Sequence, residues 1–359
     1  MSQVSSGALH PRKKNAIEAK IAIVGLTRTS ASLGMALRNF SARGNAPVIF
    51  TVKGFDEDAD KMKKAQATGA IDQLNKDLRG LLDGVAILIV DVPLGKQADY
   101  FEMIGADIGE GVVVLDLAPL KKPGVALAEK HFPRDSYGKQ AAYLVGVTPL
   151  ARYPDVYGDR DDIGQASADL FKGNDMVVVP SAKAPQEAVK VANDIAGFLD
   201  LKVRFMDPDE HDGLTGLTAA MPDLLSLLLF HTVQQSNGQN DLLRVANYHF
   251  ANSLRNLRDS STGDMRVMWQ ENRLNVLHHI EQLAVALENI REVLLDNDTP
   301  VLETFIETVK DGFEAWEIRR RDNRWDEDIQ TAAPDVTASA LSGFVGNIFN
   351  FRRDDDDKK

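Results

Sequence analysis

The sequence predicts an α/β protein: a doubly wound, mostly parallel sheet followed by an all-helical half. Three observations carry this. Short apolar runs alternate with amphipathic stretches through the first half of the chain, the strand–helix–strand rhythm of a parallel sheet covered on both faces. After Pro222 the pattern changes to long stretches with apolar residues at three- and four-residue spacing and charges between them. The 359 residues suit two domains, and 44% hydrophobic with 26% charged residues is an ordinary soluble composition with enough apolar material for a core.

The elements follow in order. Residues 20–24, 48–52, 85–90 and 112–115 read as buried strands, with helices expected over 31–40, 58–68 and 96–104. Residues 143–146 and 176–179 look like further strands, followed by a helix over 186–199 and a strand over 203–206. In the second half, 224–233, 241–257, 265–295 and 301–321 read as helices. Such helices bury apolar surface within one chain or against a second copy, and both readings stay open. In the tail, Leu341, Phe344, Val345, Ile348 and Phe349 share one helical face ahead of Arg352, Arg353 and an acidic run. A docked or partly disordered terminus is expected there, with a partner-binding or surface-seeking segment as the alternative. The domains are then an N-terminal extension (1–19), a sheet domain (20–206), a helical dimerisation or substrate domain (207–325) and a tail (326–359).

Composition excludes several functions. A net charge of −12 repels phosphate backbones, so no nucleic-acid partner is expected. The absence of Cys removes disulfides, thiolate metal sites and cysteine nucleophiles. Of the seven His only His278 and His279 are close, and adjacent positions diverge on a helix, so no metal is expected. The first twenty residues carry basic groups without an apolar stretch, and the longest apolar run, 224–230, is too short to span a bilayer. A cytoplasmic protein without membrane contact is the expectation.

A dinucleotide site needs a tight turn after the first strand, where backbone amides and a helix N-terminus face the diphosphate. Of the usual Gly-x-Gly-x-x-Gly only the first glycine stands in Gly25-Leu-Thr-Arg-Thr-Ser30. Thr27 puts a Cβ where the phosphate comes close, and Ser30 sits where the helix presses on the strand. The position between strand and helix nonetheless fits a Rossmann-like domain. Asp56, after the second strand, suits the adenosine ribose hydroxyls and disfavours a 2′-phosphate, which favours NAD over NADP. Asp56 follows Gly25 by 31 residues rather than ~20, and the polar stretch 41–47 accounts for the excess as a loop. Thr27, Arg28, Thr29 and Ser30 are phosphate partners by their chemistry. A Ser/Thr-capped turn without ligand is the competing reading.

At this point the chain resembles the prephenate dehydrogenase family, the prephenate and arogenate dehydrogenases of tyrosine biosynthesis, over residues 20–321. The likeness rests on Gly54-Phe-Asp-Glu-Asp through Thr68-Gly-Ala-Ile-Asp72, Asp169-Leu-Phe-Lys-Gly173, Asp207-Pro-Asp-Glu-His-Asp212 and the helical block 269–295. It implies a Rossmann domain, a helical dimerisation domain forming a homodimer, and NAD(P)-dependent oxidative decarboxylation of a cyclohexadienyl acid. In that reaction hydride leaves the carbon bearing the hydroxyl, a His takes the hydroxyl proton, and loss of carbon dioxide makes the ring aromatic.

The resemblance fails where the chemistry lies. Thr148, in Gly146-Val-Thr-Pro149, stands at the general-base His, and a threonine hydroxyl is no base near neutral pH. Pro119 replaces a Ser beside the nicotinamide, although Asp116 and Lys121 remain; Ala220 and Asp223 stand where two later His belong. Arg255 aligns with the Arg that grips the substrate carboxylate, and equally suits a surface pair with Asp259. His249, on the same predicted helix, reads as a partly buried helix His or as a substitute base. Losing a general base costs 10²–10⁴-fold, about 3–5 kcal/mol of barrier. Three readings follow: a dehydrogenase with altered groups; a non-catalytic dimer that holds a nucleotide or aromatic metabolite; a divergent reductase or oxidase that reuses Thr148, Lys121 and Arg255. The dehydrogenase comes first by resemblance. Every redox reading requires the bend at Gly25–Ser30 to leave room for a diphosphate.

Overall fold

The computed structural model describes residues 16–325; the amphipathic and acidic tail segment lies outside the described residues. The chain runs β1 (Ile17–Val24), α1 (Arg28–Ser41), β2 (Val48–Phe55), α2 (Ala59–Ala67), β3 (Gln73–Leu74), α3 (Leu78–Leu81), β4 (Ile87–Val90), α4 (Gln97–Ile104), β5 (Val113–Asp116), α5 (Lys122–His131) and β6 (Tyr143–Pro149). A long connection leads to β7 (Asp175–Pro180), α6 (Gln186–Phe198) and β8 (Lys202–Phe205). The sheet order is β3-β2-β1-β4-β5-β6-β7-β8. β1 to β6 pair in parallel, β7 runs antiparallel to β6, and β8 is parallel to β7. This is the doubly wound arrangement that the alternating pattern predicts.

Successive residues of a strand point to opposite faces, so a strand covered on both must be apolar throughout. β1 shows it: Ile21 and Ile23 enter one core with Leu37, Phe50 and Val52, while Ala22 and Val24 enter the other with Leu88, Val90 and Phe101. Each large apolar side chain so removed from water contributes about 1.5–3 kcal/mol.

The helical half continues with α7 (Pro208–Thr215), one wide π turn over Gly216–Ala220, α8 (Met221–Gln235), α9 (Gln239–Arg244), α10 (Tyr248–Ser253), α11 (Arg255–Asp259) and α12 (Thr262–Glu271). It ends with α13 (Arg273–Asp296) and α14 (Thr299–Asp322). Two expectations are corrected. The single helix over 241–257 is three short ones, because Asn247 leaves the helical conformation and caps α10, its side chain accepting from the Phe250 amide at 3.2 Å. The helix over 265–295 breaks at Asn272, whose side chain donates instead to the Asp212 carbonyl at 2.7 Å. β3, α3 and α5 were not expected; Pro123-Gly124 opens α5 with residues that read as a turn.

By contacts the described chain forms two units, dividing at Val276–Leu277. In the first, Pro208–Gln235 is continuously helical, and by length and composition could cross a membrane, unlike the apolar run 224–230 taken alone. Its Ala220 and Met221 pack with Leu94, Leu120 and Met268 in a small core, while Leu225 and Leu228 stay exposed. In the second unit α13 passes to α14 through Asn297, at φ 51°, and Asp298, which accepts from the Val301 amide at 3.1 Å. Leu287, Leu294, Leu295 and Phe313 are exposed there.

Candidate functional site

The bend between β1 and α1 holds Gly25, Thr27, Ser30 and Asp56 together. Gly25 has φ +84°, and a Cβ there would lie 2.3 Å from the Asp91 carbonyl oxygen, so the turn needs glycine. Helix α1 then starts at Arg28, earlier than its apolar periodicity suggests, because Thr27 and Ser30 form a reciprocal capping box. Every amide of the bend is engaged. Leu26 donates to Asp56 Oδ2 at 2.8 Å, Thr27 to Ser30 Oγ at 3.0 Å, and Thr29 to Thr27 Oγ1 at 3.1 Å. Ser30 donates to Thr27 Oγ1 and to Asp91 Oδ2, at 3.4 and 3.3 Å. The Arg28 amide donates to the backbone carbonyl of Arg160 at 2.8 Å.

Asp91, at the end of β4 and only 2% exposed, supplies the negative charge that a helix N-terminus attracts. Its carboxylate accepts from the Thr27 hydroxyl and pairs with Arg160 Nη2 at 2.9 Å. Arg28 serves the same closure rather than facing a ligand. Its guanidinium donates to the Asp155 carbonyl at 2.7 Å, to Asp155 Oδ1 at 3.0 Å and to the Gln165 carbonyl at 3.1 Å. These bonds fasten the β6–β7 connection over the start of α1, and Ser167 adds an amide bond to Ser32 Oγ at 3.0 Å. A diphosphate on this helix end meets no free amide and must displace a carboxylate with its arginine partner. The residues of the bend do not fit a dinucleotide as built.

Beside the bend lies a cleft of about 660 Å³, lined by Asp56, Asp91, Arg160, Tyr157, Arg255 and Asp264 among others. On one wall Lys96 donates to Glu57, which holds the Glu57 carboxyl below its usual range. Burial first, and then the hydrogen bond to Glu57 at 3.0 Å, push the Tyr100 phenol well up. Arg255 reaches this cleft but pairs with Asp259 at 3.0 Å, as the surface reading expects. His249 sits on α10, a separate helix from Arg255, and is exposed rather than partly buried.

Thr148 and Lys121 meet at a second corner, the ends of β5 and β6. Lys121 is fully buried, and its ammonium donates to the carbonyls of Asp116, Ala118 and Val147 at 3.0, 2.7 and 2.9 Å. Burial lowers its pKa to about 8 against the pull of the Asp116, Asp212 and Asp91 carboxylates. Burial likewise raises that of Asp116. Lys121 thus clamps the two strand ends, with its donors turned inward.

Thr148, the residue next to that clamp, is hydrogen-bonded through Oγ1 to Nε2 of His211 at 3.1 Å. Nδ1 of His211 meets Asp212 Oδ1 at 3.1 Å, and Asp212 also accepts the Lys121 and Lys122 amides at 2.8 and 3.0 Å. A carboxylate only accepts, so Nδ1 carries a proton, and in the tautomer protonated there alone Nε2 accepts from the Thr148 hydroxyl. Burying His and Asp is tolerated here because each is hydrogen-bonded. Sequence reasoning missed His211, Asp212, Asp91 and Arg160. The first two stood inside the quoted segment 207–212, where only Asp207 and Pro208 signalled anything, a helix start.

Comparison with known proteins places this architecture. A family model described as "Prephenate dehydrogenase, nucleotide-binding domain" matches residues 45–206, beginning downstream of the bend, and one described as "Prephenate dehydrogenase, dimerization domain" matches 207–310. The chain is 20% identical over 308 residues to the prephenate dehydrogenase of Bacillus subtilis, covering 86% of this chain and 78% of that one. It is 20% identical over 298 residues to the cyclohexadienyl dehydrogenase of Zymomonas mobilis, covering 81% and 94%. Among solved structures, prephenate dehydrogenase from Aquifex aeolicus in complex with hydroxyphenyl propionate and NAD+ has a TM-score of 0.67 at 19% identity, covering 85% of this chain and all of that one. Arogenate dehydrogenase from Synechocystis gives 0.59 at 18% identity, covering 83% and 99%. The chain belongs to the prephenate dehydrogenase family.

Proposed function

We propose that this member of the prephenate dehydrogenase family has given up dinucleotide-dependent hydride transfer and works as a cytoplasmic homodimer that binds a small cyclohexadienyl or aromatic acid. The single observation that supports this is the bend: all its amides are engaged, and Asp91, paired with Arg160, accepts from the Ser30 amide at the start of α1. The ligand class follows from the relatives, named for prephenate and cyclohexadienyl acids. Arg255 is one of five cationic side chains on the cleft wall, with Lys61, Lys96, Arg160 and Arg258, and would meet a carboxylate after parting from Asp259. The dimer is supported by the match to a dimerization domain and by exposed leucines on α8, and sedimentation equilibrium checks it.

Calorimetric titration with NAD, NADP and prephenate tests the reading. Heat with prephenate and none with either cofactor is the expected result. Cofactor binding, or reduced-cofactor absorbance with prephenate, overturns it.

A second reading has one observation in its favour. The Thr148–His211 hydrogen bond sets an imidazole beside Thr148, the residue that the resemblance aligns with the family's base, which suits an NAD-dependent dehydrogenase of prephenate or arogenate with altered groups. The same absorbance measurement decides for it.

A further inference from the structure

We propose that Asp259 makes the Arg255 cleft select a ligand that carries an ammonium beside its carboxylate, an α-amino acid with an aromatic or cyclohexadienyl ring. The inference rests on the reading that this cleft binds such an acid, and it narrows the ligand class.

The charges of the cleft carry it. Eight carboxylates and five cations line the 660 Å³. Each cation already faces a carboxylate of the same cleft. Lys61 meets Asp161 at 3.6 Å, Lys96 meets Glu57, and Arg160 meets Asp91 at 2.9 Å. Arg255 and Arg258 share Asp259, at 3.0 and 3.3 Å. Among the described residues, Asp56, Asp58, Asp159 and Asp264 have no cation and hold backbone amides instead. Asp264 Oδ1 accepts from the Gly95 amide at 2.7 Å and Asp159 Oδ1 from the Asp161 amide at 2.9 Å. The cavity therefore has a surplus of negative charge, and a ligand that adds only more of it is repelled.

Arg255 illustrates the cost. Its Nε and that of Arg258 both donate to Asp259. A ligand carboxylate that takes over Arg255 strips Asp259 of its closer partner, inside a cleft already short of cations. An ammonium on the adjoining carbon of the ligand meets the carboxylate so released. Both members of the original pair are then matched again, and the charge of the cleft is unchanged. An α-amino acid carries the two groups on one carbon, which suits a guanidinium and a carboxylate that stand in contact. Val92, Pro93, Val156 and Tyr157 supply apolar lining for the ring. Selection of this kind is a difference between two affinities, and because Arg255 and Asp259 are both partly exposed, solvent screens it to a modest factor.

Calorimetric titration of the full chain at low salt, with three probes that share a ring, tests the inference. They are L-tyrosine, hydroxyphenyl propionate, which lacks the ammonium, and tyramine, which lacks the carboxylate. L-tyrosine is expected to bind about 5-fold more tightly than either of the others. Asp259→Asn should tighten hydroxyphenyl propionate, by freeing both arginines, and loosen L-tyrosine, so that the preference disappears while binding persists. A misfolded variant shows no such crossing. Hydroxyphenyl propionate bound as tightly as L-tyrosine by the wild type, or an undiminished preference in Asp259→Asn, overturns the selection and leaves the acid-binding reading intact. Tyramine bound as tightly as L-tyrosine overturns the selection by showing that the carboxylate contributes nothing. No heat with any of the three or with prephenate overturns both readings.

Discussion

Two corners of one sheet edge have been treated in opposite ways. At the β1–α1 bend every polar group faces inward: amides to side chains, Thr27 to Asp91, Asp91 to Arg160, and the Arg28 amide to a carbonyl from the β6–β7 connection. At the β5–β6 ends a buried lysine and carboxylate fix a series that finishes on a partly exposed hydroxyl. A helix N-terminus already supplied with acceptors and an internal anion is finished as structure and gains little from a phosphate. A buried imidazole–carboxylate pair instead ends on a hydroxyl that is only partly covered. One scaffold tolerates both because its stability resides in the two apolar layers around β1, β2, β4 and β5, away from either corner.

The contrast can be broken from either side, and the largest effect is expected at the clamp. Lys121→Met leaves three buried carbonyls without their donor and should cost about 3–5 kcal/mol in denaturant unfolding. A loss under about 1 kcal/mol would mean that the strand ends hold themselves. The same residue sets a pH signature. The folded chain releases the Lys121 proton near pH 8 and the unfolded chain at the ordinary lysine value of 10.5, so the unfolded state binds more protons between those limits. Stability contributed by Lys121 should therefore rise with pH across that window and be flat below it, read as the difference between wild type and Lys121→Met.

Asp91→Ala sharpens the other corner. It leaves the Thr27 hydroxyl and Arg160 without the carboxylate and should lower stability by about 1.5–3 kcal/mol. NAD binding should not appear, since the Arg160 carbonyl still covers the Arg28 amide. Calorimetric heat with NAD in that variant would show that the carboxylate alone closes the bend. The smallest effect belongs to Arg255→Ala, which breaks a pair on a half-exposed helix surface and should change stability by no more than about 0.5 kcal/mol, while weakening any carboxylate ligand seen by calorimetry.

Much of the fold was legible because it is periodic. The runs at 20–24, 48–52 and 85–90 all lie in or across strands of the sheet, and 186–199 coincides with α6 to within a residue. The long helices were read too long where one polar residue, Asn247 or Asn272, redirects the backbone, since a break changes no periodicity. Part of the site was legible too. Gly25 stands at a positive φ, and the Ser/Thr-capped turn is one of the two readings that the loss of the other glycines left open. Arg28 looked like a phosphate partner because its chemistry suits one, and nothing nearby in the chain hinted at Asp155 or Gln165 as its partners.

From the order of residues came the doubly wound sheet, the helical half, the acidic balance and the altered turn at Thr27 and Ser30, and from the resemblance the departures at Pro119 and Thr148. Only the tertiary structure decided what fills those departures: Asp91 and Arg160 against the bend, His211 and Asp212 behind Thr148. Periodicity is a local property written along the chain. A hydrogen bond between Thr148 and His211, 63 residues apart, exists only because folding brings two strand and helix ends to one place.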